Sequence, residues 1–248
     1  LENLVNEAAL IAARNDQSKV YHRDIEHARD KVLMGRERKS AVMGEKELET
    51  TAYHEAGHAL VTMMLPPDQT DPLHKVTIIP RGAALGLTMR LPDDRHTYSK
   101  RYAENLICIL MGGRIAEETI FGEFNTGAAD DINKASDLAR KMVTQWGMSE
   151  KMGPLAYGRE RGEVFLGREM SQSENYSEQT AQDIDAEVKR IVTEQEERAR
   201  TFLTDSGDRL HAIAQALLEY ETLDMKDLKI LEEGGELERE KPKSKIRT

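Results

Sequence analysis

Cysteine is nearly absent from this sequence. Cys108 stands alone among 248 residues, which excludes an internal disulfide framework and fits a reducing compartment. Aromatic residues make up only 5%. No run of about 18 apolar residues occurs that would read as a membrane-spanning helix, and no signal peptide is expected at the start. Positive charge is in deficit: the net charge is −10 and no basic stripe offsets it, so a nucleic-acid partner is not expected. No internal repeat is visible. What remains is 32% charged and 39% hydrophobic, a helix-rich composition long enough for one large domain or two small ones. The chain starts in mid-pattern at Leu1 and is read as a fragment.

Apolar residues recur at helical spacing through most of the chain, predicting a mainly α fold. Leu1, Leu4, Val5, Ala8 and Ala12 predict a helix over 1–14; a turn at 15–18 and a second helix ending near Gly35 follow. These 35 residues are too few to bury a core alone, and a domain boundary is expected in the polar joint that begins there. A helix is predicted over 47–65, stopped by Pro66-Pro67. Two β-rich runs at 74–80 and 85–92 predict a small sheet or hairpin, with His74 and His96 as solvated histidines. Further helices are expected over 98–118, interrupted by Gly112-Gly113, and from 126 to about 145. Later ones are expected over 177–203, 209–220 and 223–231. Cys108 reads as a small core residue. A short apolar run at 163–166 and a polar stretch at 171–175 lie between helices, and the charged tail reads as disordered.

The chemistry concentrates in His54-Glu55-Ala56-Gly57-His58. On a helix, His54 and His58 are four residues apart and share one face, where two imidazoles can hold one zinc ion. Glu55 lies beside them, within reach of a water on that ion. Gly57 costs roughly 1 kcal/mol against alanine in a helix interior, which points to close backbone approach.

Catalytic zinc takes three protein ligands and leaves a fourth position for water. The extended zinc-protease signature needs a glycine and a third histidine where this chain has Val61 and Met64, so that subclass is excluded. The remaining candidates are Glu117 or Glu118, Asp130 and Asp131. Ile132, Ala135, Ala139, Met142, Val143 and Trp146 define the apolar stripe of the helix that follows. At roughly 100° per residue, Asp131 falls on its flank, while Asp130 points nearly opposite with Lys134 and Asp137. Asp131 is the better inward carboxylate, although an aspartate near a helix start also serves as a cap. Glu117 or Glu118 suits the orientation of a ligand histidine.

With these residues assembled, the chain resembles the FtsH family of membrane-anchored, ATP-dependent zinc metalloproteases. The resemblance rests on Leu4-Val5-Asn6-Glu7-Ala8-Ala9-Leu10, Asp30-Lys31-Val32-Leu33-Met34-Gly35 and the His54–His58 motif. Gly112-Gly113-Arg114-Ile115-Ala116-Glu117-Glu118, Thr126-Gly127-Ala128-Ala129-Asp130-Asp131-Ile132 and Met142-Val143-Thr144-Gln145-Trp146-Gly147-Met148-Ser149 complete it. It implies a helical zincin-type protease domain over 36–233, with the small sheet near the active site. It further implies the end of an AAA helical lid over 1–35 and a charged tail over 234–248. His54, His58 and Asp131 would hold one zinc, and Glu55 would be the general base for attack of the zinc-bound water on a peptide carbonyl. Glu117 would orient a ligand. Leu85, Gly86, Leu87 and Thr88 would form the edge strand that pairs with substrate.

The resemblance also implies unfolded or misassembled membrane and soluble proteins as substrates, and a homo-hexamer. The location implied is the cytoplasmic face of the bacterial inner membrane, or alternatively an organelle inner or thylakoid membrane. ATP and Mg2+ would belong to an ATPase module whose Gly-x-x-x-x-Gly-Lys-Ser/Thr loop this sequence does not contain, and membrane anchoring to segments upstream. Two rival readings are a helical platform in which metal is only a staple, and a small-peptide aminopeptidase. Closed four-ligand coordination would favour the first; the second finds no second metal cluster or amine-anchoring signature in the sequence, and products of internal cleavage would rule it out.

Overall fold

A computed structural model describes residues 1–37, 43–82, 84–91, 97–157 and 176–241. The stretches expected at 163–166 and 171–175, and His96, lie outside the described residues.

Helices α1 (Glu2–Arg14) and α2 (His22–Met34) form a hairpin whose turn passes through Asp16 at φ 54°. Val5, Leu10, Ile25, Val32 and Leu33 are exposed, so this hairpin buries little of its own apolar stripe. It meets the rest of the chain through polar links. Lys75 pairs with Asp30, Arg29 bonds the His74 ring at 2.7 Å, and Arg81 reaches Glu37 at 2.5 Å and the Gly35 carbonyl at 3.1 Å. His74 is therefore half-buried and partnered rather than solvated, and burial, then Arg29 and Lys75, lower its pKa.

Helix α3 (Glu45–Met64) is the central element. A surface helix buries one stripe; α3 is buried on nearly every side, from Leu48 through Thr62. It ends where Leu65, preceding Pro66, is held extended at φ −86°, ψ 150°. Strands β1 (Leu73–Thr77) and β2 (Leu87–Arg90) pair antiparallel, with Val76 opposite Thr88 and Thr77 opposite Leu87.

Helix α4 (Lys100–Phe121) is capped by Ser99, whose hydroxyl accepts from the Tyr102 amide, and closes on Gly122 in the left-handed region. Gly112-Gly113 does not interrupt it. The two glycines remain helical because α3 packs against them: a Cβ on Gly57 would fall inside contact distance of the Gly112 carbonyl oxygen and 2.7 Å from Ala116 Cβ. Cys108 is fully buried, which pushes its thiol pKa up to about 12. A short 3-10 turn, Thr126–Ala128, leads into α5 (Ala129–Thr144). Trp146 falls beyond the end of α5 and is 36% exposed, so it does not continue the buried stripe of Ala135, Ala139, Met142 and Val143.

Helix α6 (Glu178–Asp205) crosses α4, with Ile184, Ile191 and Leu203 buried, and α7 (Gly207–Tyr220) packs on α3 through Leu210, Ile213 and Leu217. The helix expected over 223–231 divides into β3 (Thr222–Asp224) and α8 (Met225–Glu232), which Asp224 caps. Leu223 pairs with Val76 of β1, a partner roughly 150 residues away that no local pattern reveals. Among the described residues the strand order is β2-β1-β3, which puts β2 at an edge. The charged tail touches the body as far as Lys241: Tyr220 donates to the Leu237 carbonyl, Arg239 to that of Thr222, and Lys241 pairs with Glu219.

Candidate metal centre

One turn of α3 separates His54 from His58, and α4 orients both. A backbone carbonyl can only accept, so the 2.7 Å contact from His58 Nδ1 to the Ile109 carbonyl fixes its proton on Nδ1. Glu117, 2% exposed, accepts from His54 Nδ1 at 2.6 Å and from the Asn125 amide at 3.0 Å. Both Nε2 atoms are thus left with lone pairs, and they converge at 3.0 Å. Two acceptors facing each other repel unless a cation or proton lies between them.

Asp131, in the first turn of α5, supplies the third donor. Its Oδ2 lies 3.2 Å from His54 Nε2 and 3.3 Å from His58 Nε2. Ligands bound about 2.0–2.1 Å from a tetrahedral zinc are about 3.3–3.4 Å apart, so this triangle fits one face of such a site. Among the described residues these three form the group able to hold a metal ion. Asp130 points away as its helical phase requires, 75% exposed and paired with Lys134. Glu118 turns outward to Arg200 at 2.8 Å, which leaves Glu117 as the carboxylate that orients a histidine.

Electrostatics agree with the donor set. Burial alone would lower the His54 pKa, but hydrogen bonds to Asp131 and Glu117, aided by the charge of Glu55, raise it to about 10. The cluster carries a demand for positive charge that a proton or a metal ion can meet. Burial would raise the pKa of Asp131, yet the two imidazoles hold it well below the usual carboxylate range.

Glu55 is 6% exposed on the same turn of α3. Burial raises its pKa, against the opposing pull of His58, His54 and a hydrogen bond from Thr88. Thr88 belongs to β2, and its hydroxyl stands 2.7 Å from Glu55 Oε2 and 3.2 Å from the Glu55 carbonyl. Leu87 also lies in β2, while Leu85 and Gly86 precede the strand; Leu85 is 42% exposed. A Cβ on Gly86 would stand 2.7 Å from Glu55 Oε1. Sequence reasoning missed the Ile109 carbonyl, Asn125 and the Thr88–Glu55 link. None carries a motif: one is backbone, and the others act only across elements that folding brings together.

Residues 41–231 match the model of peptidase family M41. The chain is 54% identical to the ATP-dependent zinc metalloprotease FtsH of Myxococcus xanthus over 99% of its own length and 38% of that protein. Against proteins of the same name from Magnetococcus marinus and Photobacterium profundum it is 59% and 52% identical over 90% of its length, covering 33% and 32% of theirs. The chain therefore spans about a third of the length of these curated relatives.

Proposed function

The chain belongs to peptidase family M41, and from that membership we propose that it is the peptide-cleaving part of an ATP-dependent zinc metalloprotease. The observation that carries this reading is the convergence of His54 Nε2, His58 Nε2 and Asp131 Oδ2 beside the buried carboxylate of Glu55. His54, His58 and Asp131 hold the zinc, with Glu117 and the Ile109 carbonyl fixing the two imidazoles. Zinc in such a site polarises a peptide carbonyl and makes water acidic enough to be deprotonated near neutral pH. Glu55 takes the proton of the attacking water and passes it to the leaving nitrogen. The edge of β2 that is unpaired among the described residues, led in by Leu85 and Gly86, pairs with an extended substrate backbone, a mode that reads the main chain rather than side-chain identity.

The wider setting is also part of the proposal. ATP hydrolysis and membrane anchoring reside in parts of a longer protein outside these residues; no described helix is long and apolar enough to cross a membrane. Residues 1–35 form the end of an AAA lid, 36–233 the protease domain, and 234–248 a charged tail. The assembly is a homo-hexamer acting on unfolded or misassembled proteins at the cytoplasmic face of a bacterial inner membrane.

The test is cleavage of a flexible, quenched peptide by the 248-residue chain and by Glu55→Gln, with zinc content measured on both. Cleavage by the wild type alone at equal zinc content is expected. Equal cleavage by Glu55→Gln would remove Glu55 from the chemistry.

A further inference from the structure

Glu55 is held on one carboxylate oxygen by the edge strand, while the residue that leads into that strand lies close against the other. Oε2 accepts the Thr88 hydroxyl at 2.7 Å, while Oε1 faces the Cα of Gly86, where only hydrogen fits: a Cβ would stand 2.7 Å from both Oε1 and Cγ and 2.9 Å from Thr51 Cγ2. The Thr88 hydroxyl also touches the Glu55 carbonyl at 3.2 Å, so one side chain bridges β2 to both the backbone and the carboxylate of the same residue. A carboxylate buried this deeply, with a flexible ethylene stem, loses a defined position if its partner is removed.

We propose that Thr88 is the positioning residue for Glu55, with bare Gly86 closing the clamp. The strand edge that would pair with substrate is thereby the same element that aims the base. This rests on the proteolytic reading above. Backbone pairing on the free side of β2 damps the motion of Thr88, so an occupied edge holds Glu55 more tightly than an empty one. Substrate binding and readiness of the base are coupled through a single hydroxyl.

The test compares Thr88→Val, Thr88→Ser and wild type, all zinc-loaded, on the quenched peptide. In Thr88→Val, kcat is expected to fall roughly 10- to 100-fold with KM within about twofold, and Thr88→Ser is expected to recover most of the loss. A strand that was merely distorted would raise KM and would not be rescued by serine. A second arm needs no turnover: a thermal-unfolding cycle of Thr88→Val and Glu55→Ala. Thr88→Val should lower the melting temperature more when Glu55 is present than when it is alanine, because the contact with the backbone carbonyl survives in both backgrounds. Unchanged kcat in Thr88→Val, or an additive cycle, overturns the proposal. Undiminished cleavage by Glu55→Gln overturns the assignment of Glu55 as the base, and no cleavage by the zinc-loaded wild type overturns the proteolytic reading; in either case the cycle still decides whether the clamp exists.

Discussion

Gly113 of α4 stands so close to His54 of α3 that a Cβ on the glycine would lie 2.6 Å from His54 Cε1 and 2.7 Å from its Nε2. It would also lie 2.7 Å from His58 Nε2. The glycine's missing side chain is the space in which the two imidazoles turn toward each other.

Gly113→Ala should therefore act on metal binding. The obstructing atoms are imidazole tips that can swing aside, so the chain should fold while its zinc affinity drops roughly 10- to 100-fold, as for loss of a supporting contact. Competition with a chelating dye measures this. Gly57→Ala offers the contrast, because its Cβ would press on the backbone of Gly112, and backbone cannot swing. Its expected effect is on stability, a loss of about 1–3 kcal/mol in denaturant unfolding, the usual range for overpacking.

Asp131→Ala and Asp130→Ala should separate cleanly. The first removes one of three converging donors, and zinc should leave on dialysis against a weak chelator. The second removes an exposed partner of Lys134 and should leave zinc content unchanged. Equal retention in both variants would return the third ligand to a neighbouring carboxylate.

Glu117→Ala should give an intermediate result. The His54 ring would lose the acceptor that fixes its proton on Nδ1, weakening zinc roughly 10- to 100-fold. Turnover should return when zinc is supplied in excess, since Glu117 touches neither zinc nor the proposed general base. Failure to recover at saturating zinc would give Glu117 a role beyond orienting the histidine.

What could be read in the sequence follows from range. His54, Glu55 and His58 lie within about one helical turn, so their spacing marks the candidate site, and the phase of α5 separates Asp131 from Asp130 by local geometry alone. Leu223 reads as the start of a helix and is a strand residue, because its run is equally apolar as helix or strand and only pairing with Val76 decides. Gly112-Gly113 looked like an interruption because the cost of glycine is local, while the compensation, close approach of α3, is tertiary. Thr88 was legible as part of a strand but not as a partner of Glu55. Its role depends on β2 lying across α3, which sequence distance conceals.

Glu187 of α6, with a side chain 4% exposed, accepts from Arg190 through both oxygens at 2.7 and 2.8 Å and from the Ser149 hydroxyl at 2.7 Å. Ser149 follows α5, the helix that carries Asp131, so this carboxylate ties the downstream end of that helix to α6. The Arg190 bonds, opposed by burial and helped by Ser149, hold its pKa down at about 2. A carboxylate depressed in the folded state stabilises the fold above its unfolded value of about 4.3 and stops doing so as pH falls toward the folded value. Because Arg190 is 45% exposed, screening limits the effect to on the order of 1–2 kcal/mol. The difference in unfolding free energy between wild type and Glu187→Gln should be full at pH 6–7 and shrink progressively between about pH 4.5 and 2. A difference that holds constant across that range would mean that Glu187 contributes shape and hydrogen bonding at this joint, and its charge nothing.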